Sequence, residues 1–412
     1  MILAIDLKLP VRQFDVKNAF LFAPLEEEIF IKTPEGSHRK APFLKVVKSL
    51  YGLKQAPKNW YETLTKWFEE VGFCPSVSDA CLFIHKDKES FIFFHVDDLI
   101  VVGQTERFEE LFLDRFPNSS AHDPDTLLGM NVQVMENSIS LSQPALIEKG
   151  LELLDLTKCK SVKTPLTPGV QLRTASDEDH LAFLKLNLNY RSYTGMLNYL
   201  ACRTRPDLAA AVSILSRFNQ RPGLSHWKEM IHCWKYLQGT KSLGLLLCPE
   251  ADQLEERIHF YTDATWAEDQ ESRILQSGSV AFWKACPISW NSKKQKNITM
   301  SSTESEMNVL SDGEQENQWL SFLVGELWNK KLPATMFHVD NRGLLEKLKH
   351  FGSNSKTKHL DIKIKALREK FSNKDIDVNL ISSDEMIADA LTKEAPYNSV
   401  KKIQDKCLSA LS

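Results

Sequence analysis

The stretch FIFFHVDDLIVVG, residues Phe91–Gly103, places two short apolar runs on either side of an acidic pair, Asp97 and Asp98. Apolar runs of this length are typical of buried strands, and the polar residues between them favour a β-hairpin. Carboxylates embedded in apolar sequence are costly unless something pairs with them. We therefore predict a sheet with two carboxylates at the tip of a hairpin. Taken alone, such a pair is more often a solvated turn than a metal site.

A third carboxylate, Asp15, lies upstream at the end of the apolar strand QFDV. Mg²⁺ prefers oxygen ligands and bridges carboxylates to the phosphates of a substrate. Two such ions about 3.5–4 Å apart can activate an attacking hydroxyl and stabilise a leaving oxygen. Between Asp15 and the hairpin, apolar residues recur at helical spacing over 60–71 and predict a helix.

The composition is that of an ordered globular chain, because 42% of the 412 residues are hydrophobic and 25% are charged. This length predicts two or three domains. Lys and Arg total 51 against 54 Asp and Glu, a net charge of -3 that excludes a globally cationic protein. No apolar run is long enough for a membrane span, and no signal-peptide cleavage pattern is present. The eight cysteines form no C-x-x-C pair, which indicates reduced thiols in a protein that is not secreted.

The second half of the sequence changes character twice. A mostly helical segment covers about 190–247, and strands alternating with helices follow the charged run 250–256. This alternation predicts an α/β domain. Four acidic residues fall on separate elements of that domain: Asp263 on a central strand (IHFYTDATW), Glu306 near a helix start, Asp340 at a strand end (FHVDN) and Asp389 on the last predicted helix (DEMIADALTK).

Two glutamates, Glu304 and Glu306, compete for one functional position in SSTESEMNVL. If Ser301 is the N-cap, Glu304 is the third helical residue and completes an S-x-x-E capping box. Glu304 then has a structural role at the helix start. Glu306 lies further into the helix, so we predict that it faces the strands.

Several motifs occur in an order that strongly resembles the reverse transcriptase of copia-type retrotransposons. These are QFDVKNAFLFAPLEEEIFIKTPEG (13–36), KSLYGLKQAPKNWY (48–61) and FFHVDDLIVVG (93–103). The helical segments 190–218 and 226–240 resemble the connecting region of the same Pol polyproteins. The four acidic residues of the last part resemble the RNase H domain that closes them. The resemblance runs through nearly the whole chain.

The resemblance implies an α/β fold, in which a reverse transcriptase palm and thumb-connection region is followed by an RNase H-like mixed-sheet domain. It implies four segments: reverse transcriptase (1–168), a mostly helical thumb or connection (169–256), RNase H (257–396) and a C-terminal tail (397–412).

The resemblance also implies residue roles. Asp15, Asp97 and Asp98 would be the metal ligands of an RNA-directed DNA polymerase. Phe20 matches the bulky residue that crowds a 2′-hydroxyl and favours deoxynucleotides, although it also suits an ordinary core position. Gln55 matches a turn that contacts template and nucleotide. The ligands of the ribonuclease H would be Asp263, Glu306, Asp340 and Asp389, with two Mg²⁺ in each active site.

Two departures from the family bear on the polymerase. Only fourteen residues precede Asp15, where the family has a fingers segment with basic residues, and FAPLEEE replaces a polar HGDLEEE-like loop. A triphosphate clamp supplies charge stabilisation to phosphoryl transfer. We therefore expect impaired DNA synthesis by this chain alone and, as the better supported activity, hydrolysis of RNA in RNA–DNA hybrids. Fingers, integrase and protease encoded upstream are an alternative account of this beginning.

Basic residues cluster in two strips despite the balanced total. One strip contains Lys293, Lys294 and Lys296, and the other contains Lys356, Lys358, Lys363, Lys365 and Arg368. Such strips can follow the phosphates of a hybrid, and we predict Lys293 and Lys358 as nucleic-acid contacts. An ordinary solvated helix face is the alternative for the second strip.

The expected partners are an RNA template, a DNA primer, RNA–DNA hybrid and deoxynucleotides, with other Pol or Gag products as further candidates. A transposable element that integrates its DNA would place the chain in cytoplasmic virus-like particles, in the nucleus, or in both. One alternative function remains open. The chain is then a catalytically inactive relic that acts at most as a nucleic-acid-binding module.

Overall fold

The structure is a computed structural model that describes residues 1–249, 256–265, 275–295, 299, 301–349 and 358–411, with side chains at 358–361 not described. It divides into two compact units. The N-terminal unit comprises Asp6–Leu127 and Glu326–Asn329. The C-terminal unit comprises Met1–Ile5, Leu128–Gly325 and Lys330–Ser412. Because these units follow spatial contacts and not sequence order, the four sequence segments given above stay predictions.

The described chain contains α-helices and short 3₁₀ helices. The α-helices are α1 (Ile2–Asp6), α2 (Ala56–Glu70), α3 (Thr105–Arg115), α4 (Pro144–Leu153), α5 (Asp177–Leu184), α6 (Tyr190–Arg203), α7 (Ala209–Ser216), α8 (Leu224–Gly239), α9 (Ser302–Leu327), α10 (Arg342–Lys349), α11 (Lys358–Ser372) and α12 (Tyr397–Cys407). Short 3₁₀ helices span Ala19–Phe22, Pro206–Leu208, Ser383–Glu385 and Ile387–Leu391.

Strands occur in both units. They are β1 (Val11–Val16), β2 (Pro24–Lys32), β3 (Phe43–Lys48), β4 (Phe73–Pro75), β5 (Leu82–His85), β6 (Phe91–His95), β7 (Asp98–Val102), β8 (Ser119–His122), β9 (Thr126–Leu127), β10 (Met130–Val134), β11 (Ile139–Ser142), β12 (Leu243–Leu247), β13 (His259–Ala264), β14 (Gln276–Trp283), β15 (Cys286–Lys294), β16 (Thr335–Val339), β17 (Ile376–Leu380) and β18 (Leu408–Ala410).

The N-terminal unit is built on a six-stranded sheet in the order β4-β5-β6-β7-β1-β8. The predicted hairpin is confirmed, because β6 and β7 pair antiparallel up to His95 opposite Asp98. The helix predicted over 60–71 is also confirmed as α2, and it buries Trp60, Leu64, Trp67 and Phe68. Aromatic rings from α2, α3 and the sheet fill one core, where each fully buried ring contributes about 1.5–3 kcal/mol.

The connecting part of the C-terminal unit, residues 128–249, contains strands as well as helices. Helices α6, α7 and α8 confirm the helical prediction for 190–247, but β10, β11, β12 and β18 form an antiparallel sheet in the order β18-β12-β11-β10. The segment predicted as a tail forms α12 and β18. Strands β10 and β11 are short local neighbours, whereas β12 and β18 pair with parts of the chain that are distant in sequence, so no local pattern indicates the whole sheet.

The last part of the C-terminal unit is a mixed five-stranded sheet in the order β15-β14-β13-β16-β17. Strands β13, β14 and β15 are antiparallel neighbours, whereas β16 and β17 run parallel to β13. The predicted mixed sheet with flanking helices is therefore confirmed. Because β13 and β16 are parallel neighbours, their carboxyl ends meet at one edge of the sheet.

Candidate active sites

The three carboxylates of the N-terminal unit lie around one strand pair. Asp15 on β1 is directly opposite Asp98 on β7, and the amide of Val16 donates to the carbonyl oxygen of Asp97 at 3.2 Å. Burial, followed by repulsion from Asp97 and Asp15, raises the pKa of Asp98. The hairpin therefore brings the three acidic groups to one edge of the sheet, where a cation would relieve their repulsion.

Phe20 and Gln55 lie in different surroundings. The Phe20 ring is buried on a 3₁₀ turn and packs on Tyr51, with ring centroids 4.4 Å apart. Gln55 directly precedes α2, and its side-chain amide donates to the carboxylate of Glu27. Whether either residue contacts a nucleotide stays a prediction.

Tyr51 was missed by sequence reasoning, although it lies in the LYG motif. Its hydroxyl donates to Oδ2 of Asp97 at 3.3 Å, and burial, followed by the charges of Asp97 and Asp15, raises its pKa. The ring lies between Phe20 and the carboxylate group and is itself 57% exposed. An aromatic hydroxyl beside glycine was the available signal, but only the fold reveals its contact with Asp97.

The carboxylates of the C-terminal unit converge more tightly. One carboxylate oxygen from each of Asp263, Glu306 and Asp340 lies within 4.8 Å of the others. Among the described residues this is the one acidic group that meets that distance, and the trio around Asp98 does not. Asp263 belongs to β13, Asp340 directly follows β16, and Glu306 comes from the second turn of α9. The parallel pairing of the two strands thus creates the site.

The choice between Glu304 and Glu306 is consistent with the geometry at the start of α9. The amide of Glu304 donates to Oγ of Ser301 at 3.3 Å, which confirms Ser301 as the cap. Glu306 is buried, and its Oε1 accepts from the amide of Ala264 at 3.1 Å. Glu306 therefore faces the strand that carries Asp263, as predicted.

Asp389 lies beside this group but not within it. We predicted it on the last helix. It instead lies on the 3₁₀ helix Ile387–Leu391, whereas the last helix is α12. This 3₁₀ turn crosses close over β14 because residue 278, opposite Asp263, is glycine. A Cβ on Gly278 would stand 2.8 Å from the carbonyl oxygen of Ala388. Lys393 pairs with Asp389 at 2.7 Å.

Thr392 and Ser383 were also missed, and each orients one carboxylate. The buried hydroxyl of Thr392 donates to Oδ2 of Asp263 at 3.1 Å. The hydroxyl of Ser383 donates to Oδ2 of Asp340 at 2.7 Å. Both residues stand in the segment 382–392, and no spacing in the sequence indicates where their hydroxyls point.

The electrostatics of the group favour a bound cation. Burial, followed by repulsion from Asp340 and Asp389, raises the pKa of Asp263 to about 6. Burial and the charges of Asp263 and Asp340 raise the pKa of Glu306 well above its usual range. Oε2 of Glu306 is buried and accepts no hydrogen bond from the described residues. A set of oxygen donors with an unsatisfied buried carboxylate oxygen fits Mg²⁺.

We predict a pH-dependent stability difference between the metal-free protein and its Asp263→Asn variant. The pKa of Asp263 rises from 3.8 to about 6 on folding, so the folded protein holds a proton that the unfolded chain releases in this window. The contribution of Asp263 to wild-type stability therefore falls as pH rises from about 4 to about 6. Two pKa units correspond to about 3 kcal/mol. In urea titrations the Asn variant should be more stable by up to this amount at pH 7 and nearly equal at pH 4.

Mg²⁺ should reduce this difference at pH 7, because binding to the deprotonated site stabilises the wild type. A difference that is independent of pH between 4 and 7 would contradict the raised pKa of Asp263.

The two basic strips are only partly available to a ligand. Lys293 lies near the end of the edge strand β15 and is exposed. Lys363 instead donates to Oδ1 of Asn308 on α9 at 2.9 Å. Lys296 and Lys356 lie outside the described residues, as does the side chain of Lys358. The nucleic-acid contacts of Lys293 and Lys358 therefore stay predictions.

Comparisons with known proteins bear on both units. A family model described as "Reverse transcriptase (RNA-dependent DNA polymerase)" matches residues 1–168. The chain is 32% identical over 399 residues to the retrovirus-related Pol polyprotein from transposon RE1 of Arabidopsis thaliana, which covers 95% of this chain. It is 32% identical over 414 residues to the corresponding polyprotein from transposon TNT 1-94 of Nicotiana tabacum, with 96% of this chain covered. The chain belongs to the copia-type retrotransposon Pol polyproteins.

This Pol chain spans 27% and 30% of the length of those two relatives. The chain is also similar to a solved structure of the foamy viral protease-reverse transcriptase in complex with dsDNA, with a TM-score of 0.52 and 11% identity. The match covers 90% of this chain and 67% of the foamy viral chain. That likeness concerns the fold alone. The resemblance and the α/β fold class are confirmed: the reverse transcriptase match at residues 1–168 is followed by the mixed five-stranded sheet with flanking helices. Within the described residues, every helix is too short or too polar to cross a bilayer.

Proposed function

We propose that this Pol chain hydrolyses the RNA strand of RNA–DNA hybrids at Asp263, Glu306, Asp340 and Asp389. The observation that carries the proposal is the convergence of three carboxylates within 4.8 Å from separate elements of a mixed sheet. Asp389 would complete the set from the 3₁₀ turn beside Asp263. These groups would hold two Mg²⁺, which supply an activated water and charge stabilisation for phosphodiester cleavage.

The surrounding residues would keep this set in place during turnover. Thr392 and Ser383 each donate one hydrogen bond to a carboxylate oxygen and leave the other oxygen for a ligand. The ammonium of Lys393 is 2.7 Å from Asp389 and lowers the local negative charge before a phosphate approaches. Fixed donors of this kind reduce reorganisation in the reaction and so support catalysis.

The preferred substrate follows from what an acidic metal site can select. RNA differs from DNA by its 2′-hydroxyl, which lies next to the scissile phosphate, and by the A-like shape of its duplex. Lys293, on the exposed edge strand, is our candidate for a phosphate contact outside the carboxylate group, and Lys358 is a second one. The foamy viral structure contains dsDNA, which supports nucleic acid as the class of partner.

The test of the hydrolase proposal is cleavage of a labelled hybrid by the purified chain. We expect cleavage of the RNA strand with Mg²⁺, none with EDTA, and none of the matching DNA duplex. Binding of the hybrid without cleavage at any Mg²⁺ concentration would instead support the alternative, an inactive nucleic-acid-binding module.

We also propose that Asp15, Asp97 and Asp98 support RNA-directed DNA synthesis. The support is the direct opposition of Asp15 and Asp98 across two strands and the raised pKa of Asp98. Phe20 would exclude a 2′-hydroxyl and so favour deoxynucleotides, while Gln55 would contact template and nucleotide. An RNA template and a DNA primer are the substrates.

We predict that Asp98→Asn lowers primer extension on an RNA template by at least about 100-fold, because a metal ligand is removed. The fold should persist, since the change removes a charge that Asp15 and Asp97 repel. Extension is measured with Mg²⁺ and deoxynucleotides at equal protein concentration. Asp114→Asn, an exposed change on α3, is the matched control and should retain wild-type extension. Equal loss in both variants would contradict the assignment.

The cellular setting follows from membership of this family and is likewise proposed. A retrotransposon product would act in cytoplasmic virus-like particles or in the nucleus, beside other Pol or Gag products. Co-sedimentation of the chain with particle RNA is the measurement that checks this placement.

A further inference from the structure

A polar cleft of about 570 Å³ lies in the connecting part of the C-terminal unit, apart from the carboxylates. One wall is a face of α6, and the other is the chain at and after the end of α7. The residues that matter most for its chemistry are Arg191, Gly195, Asn198, Arg217 and Asn219. The walls are thus rich in hydrogen-bond donors.

The cleft carries positive charge. Arg191 and Arg217 both line it, and no carboxylate is present among its described lining residues. The Nε of Arg191 donates to the carbonyl of Asn219 at 3.1 Å, which fixes the guanidinium at the mouth of the cleft. Arg191 has no ion pair within the described part of the chain. A guanidinium held in this way is suited to a phosphate, which it can bind through two parallel hydrogen bonds.

Gly195 gives a second, independent indication. It lies in the interior of α6 and faces solvent, where glycine destabilises a helix relative to alanine. A Cβ at this position would meet no atom within 4 Å, so packing inside the protein does not require glycine. Its effect is to leave the helix backbone open to the cleft. A ligand backbone can then approach α6 more closely than at any position with a side chain.

Hydrogen bonds also join the walls of the cleft to the mixed five-stranded sheet. Arg217 donates to Oε1 of Gln276 on β14 at 2.5 Å, and the Gln276 amide donates to Ser292 on β15 at 2.7 Å. The indole of Trp290, also on β15, donates to the carbonyl of Ala201 on α6 at 2.7 Å. One wall is therefore held against β14, the neighbour of the strand that carries Asp263, and the other against β15, the next strand out. A nucleic-acid strand bound in the cleft would have a defined register relative to the carboxylates.

We propose that this cleft binds the sugar-phosphate backbone of the RNA–DNA hybrid and sets its register at the RNase H site. The inference rests on the proposed hydrolysis of hybrids and extends it by a second binding subsite. Arg191 binds a phosphate, and Gly195 admits the backbone against α6. Neither residue touches the reacting phosphate.

The first test is hybrid affinity measured by fluorescence anisotropy, with Ca²⁺ in place of Mg²⁺ to prevent turnover. Arg191→Gln should weaken binding about tenfold, the effect of one charged hydrogen-bonded contact. The slope of log K against log salt between about 50 and 200 mM should fall by about one. Arg203→Gln removes the same charge from an exposed position on α6 outside the cleft and should change affinity less than about twofold.

The second test separates a ligand site from a structural role. Gly195→Gln should leave the melting temperature unchanged or raise it, because a helix former replaces glycine at an open position. The same variant should bind the hybrid about tenfold more weakly, since its side chain occupies the cleft. Wild-type affinity and salt slope in both Arg191→Gln and Gly195→Gln would overturn the proposal.

The two proposals fail in different ways. A chain that binds hybrid through Arg191 yet never cleaves it would refute the hydrolase and leave the cleft standing. Normal cleavage by both the Arg191→Gln and the Gly195→Gln variants would refute the cleft and leave the hydrolase standing. Labelled deoxynucleotide is the remaining arm, because it shares the phosphate chemistry. Loss of its binding in Arg191→Gln, with hybrid affinity unchanged, would assign the cleft to a free nucleotide and overturn the proposal.

Discussion

The double variant Asp263→Asn, Glu306→Gln should lose cleavage of RNA–DNA hybrid by at least about 10³-fold while it becomes more stable than the wild type. In the proposed mechanism the activity falls because two of the three converging carboxylates no longer carry the charge that would hold a divalent cation. The stability rises because both groups are buried and repel one another in the metal-free protein. The measurements are single-turnover cleavage with Mg²⁺ and thermal unfolding with EDTA at pH 7.

Opposite changes in activity and stability distinguish metal ligands from residues of the core. A core residue would lose both together, because its removal damages the fold. Glu304→Gln is the matched control, since Glu304 lies one half-turn away at the helix start. It should keep cleavage within about threefold of wild type, because no ligand is lost. Cleavage that survives in the double variant would sink the RNase H assignment.

The second large effect is expected at a buried ion pair outside both active sites. Asp207→Ala should lower the free energy of unfolding by about 3–5 kcal/mol, because it leaves Arg205 charged and buried without its partner. Two hydrogen bonds join the guanidinium and the carboxylate, at 2.9 and 2.7 Å. Both side chains are almost fully buried. Urea unfolding monitored by tryptophan fluorescence measures the loss.

This ion pair connects three elements of the C-terminal unit. The hydroxyl of Tyr236 on α8 donates to Asp207, and the amide of Gln404 on α12 donates to the Tyr236 hydroxyl at 2.7 Å. Asp177→Ala, which removes one partner of the exposed Arg221–Asp177 pair, is the control and should cost less than about 1 kcal/mol. Equal costs for Asp207→Ala and Asp177→Ala would show that the buried network does not hold α12 in place.

Much of the N-terminal unit was predictable because its signals are local. The hairpin of residues 91–103 needs only two apolar runs and a polar turn, and the α2 stripe needs only helical spacing. The prediction that Glu306, and not Glu304, faces the strands also needed no tertiary information, because a capping box is decided within four residues. The family resemblance then indicated which carboxylates belong together, but not how close they come.

Distances between elements were decided by tertiary packing alone. Asp263 and Asp340 meet because β13 and β16 are parallel neighbours, which is a pairing between residues far apart in the chain. Asp389 sits on a 3₁₀ turn beside Asp263 because Gly278 permits the turn to cross closely.

The sequence by itself therefore determined the family and, except for the 3₁₀ turn of Asp389, the elements that carry the two predicted carboxylate sets, because those signals are short-range patterns of residue type. Only the tertiary structure decided that the set of Asp263 converges more tightly than the set of Asp98. It also revealed the Arg191 cleft, whose walls are packed against β14 and β15. The physical reason is that burial, repulsion and hydrogen-bond direction depend on long-range packing, which no local periodicity encodes.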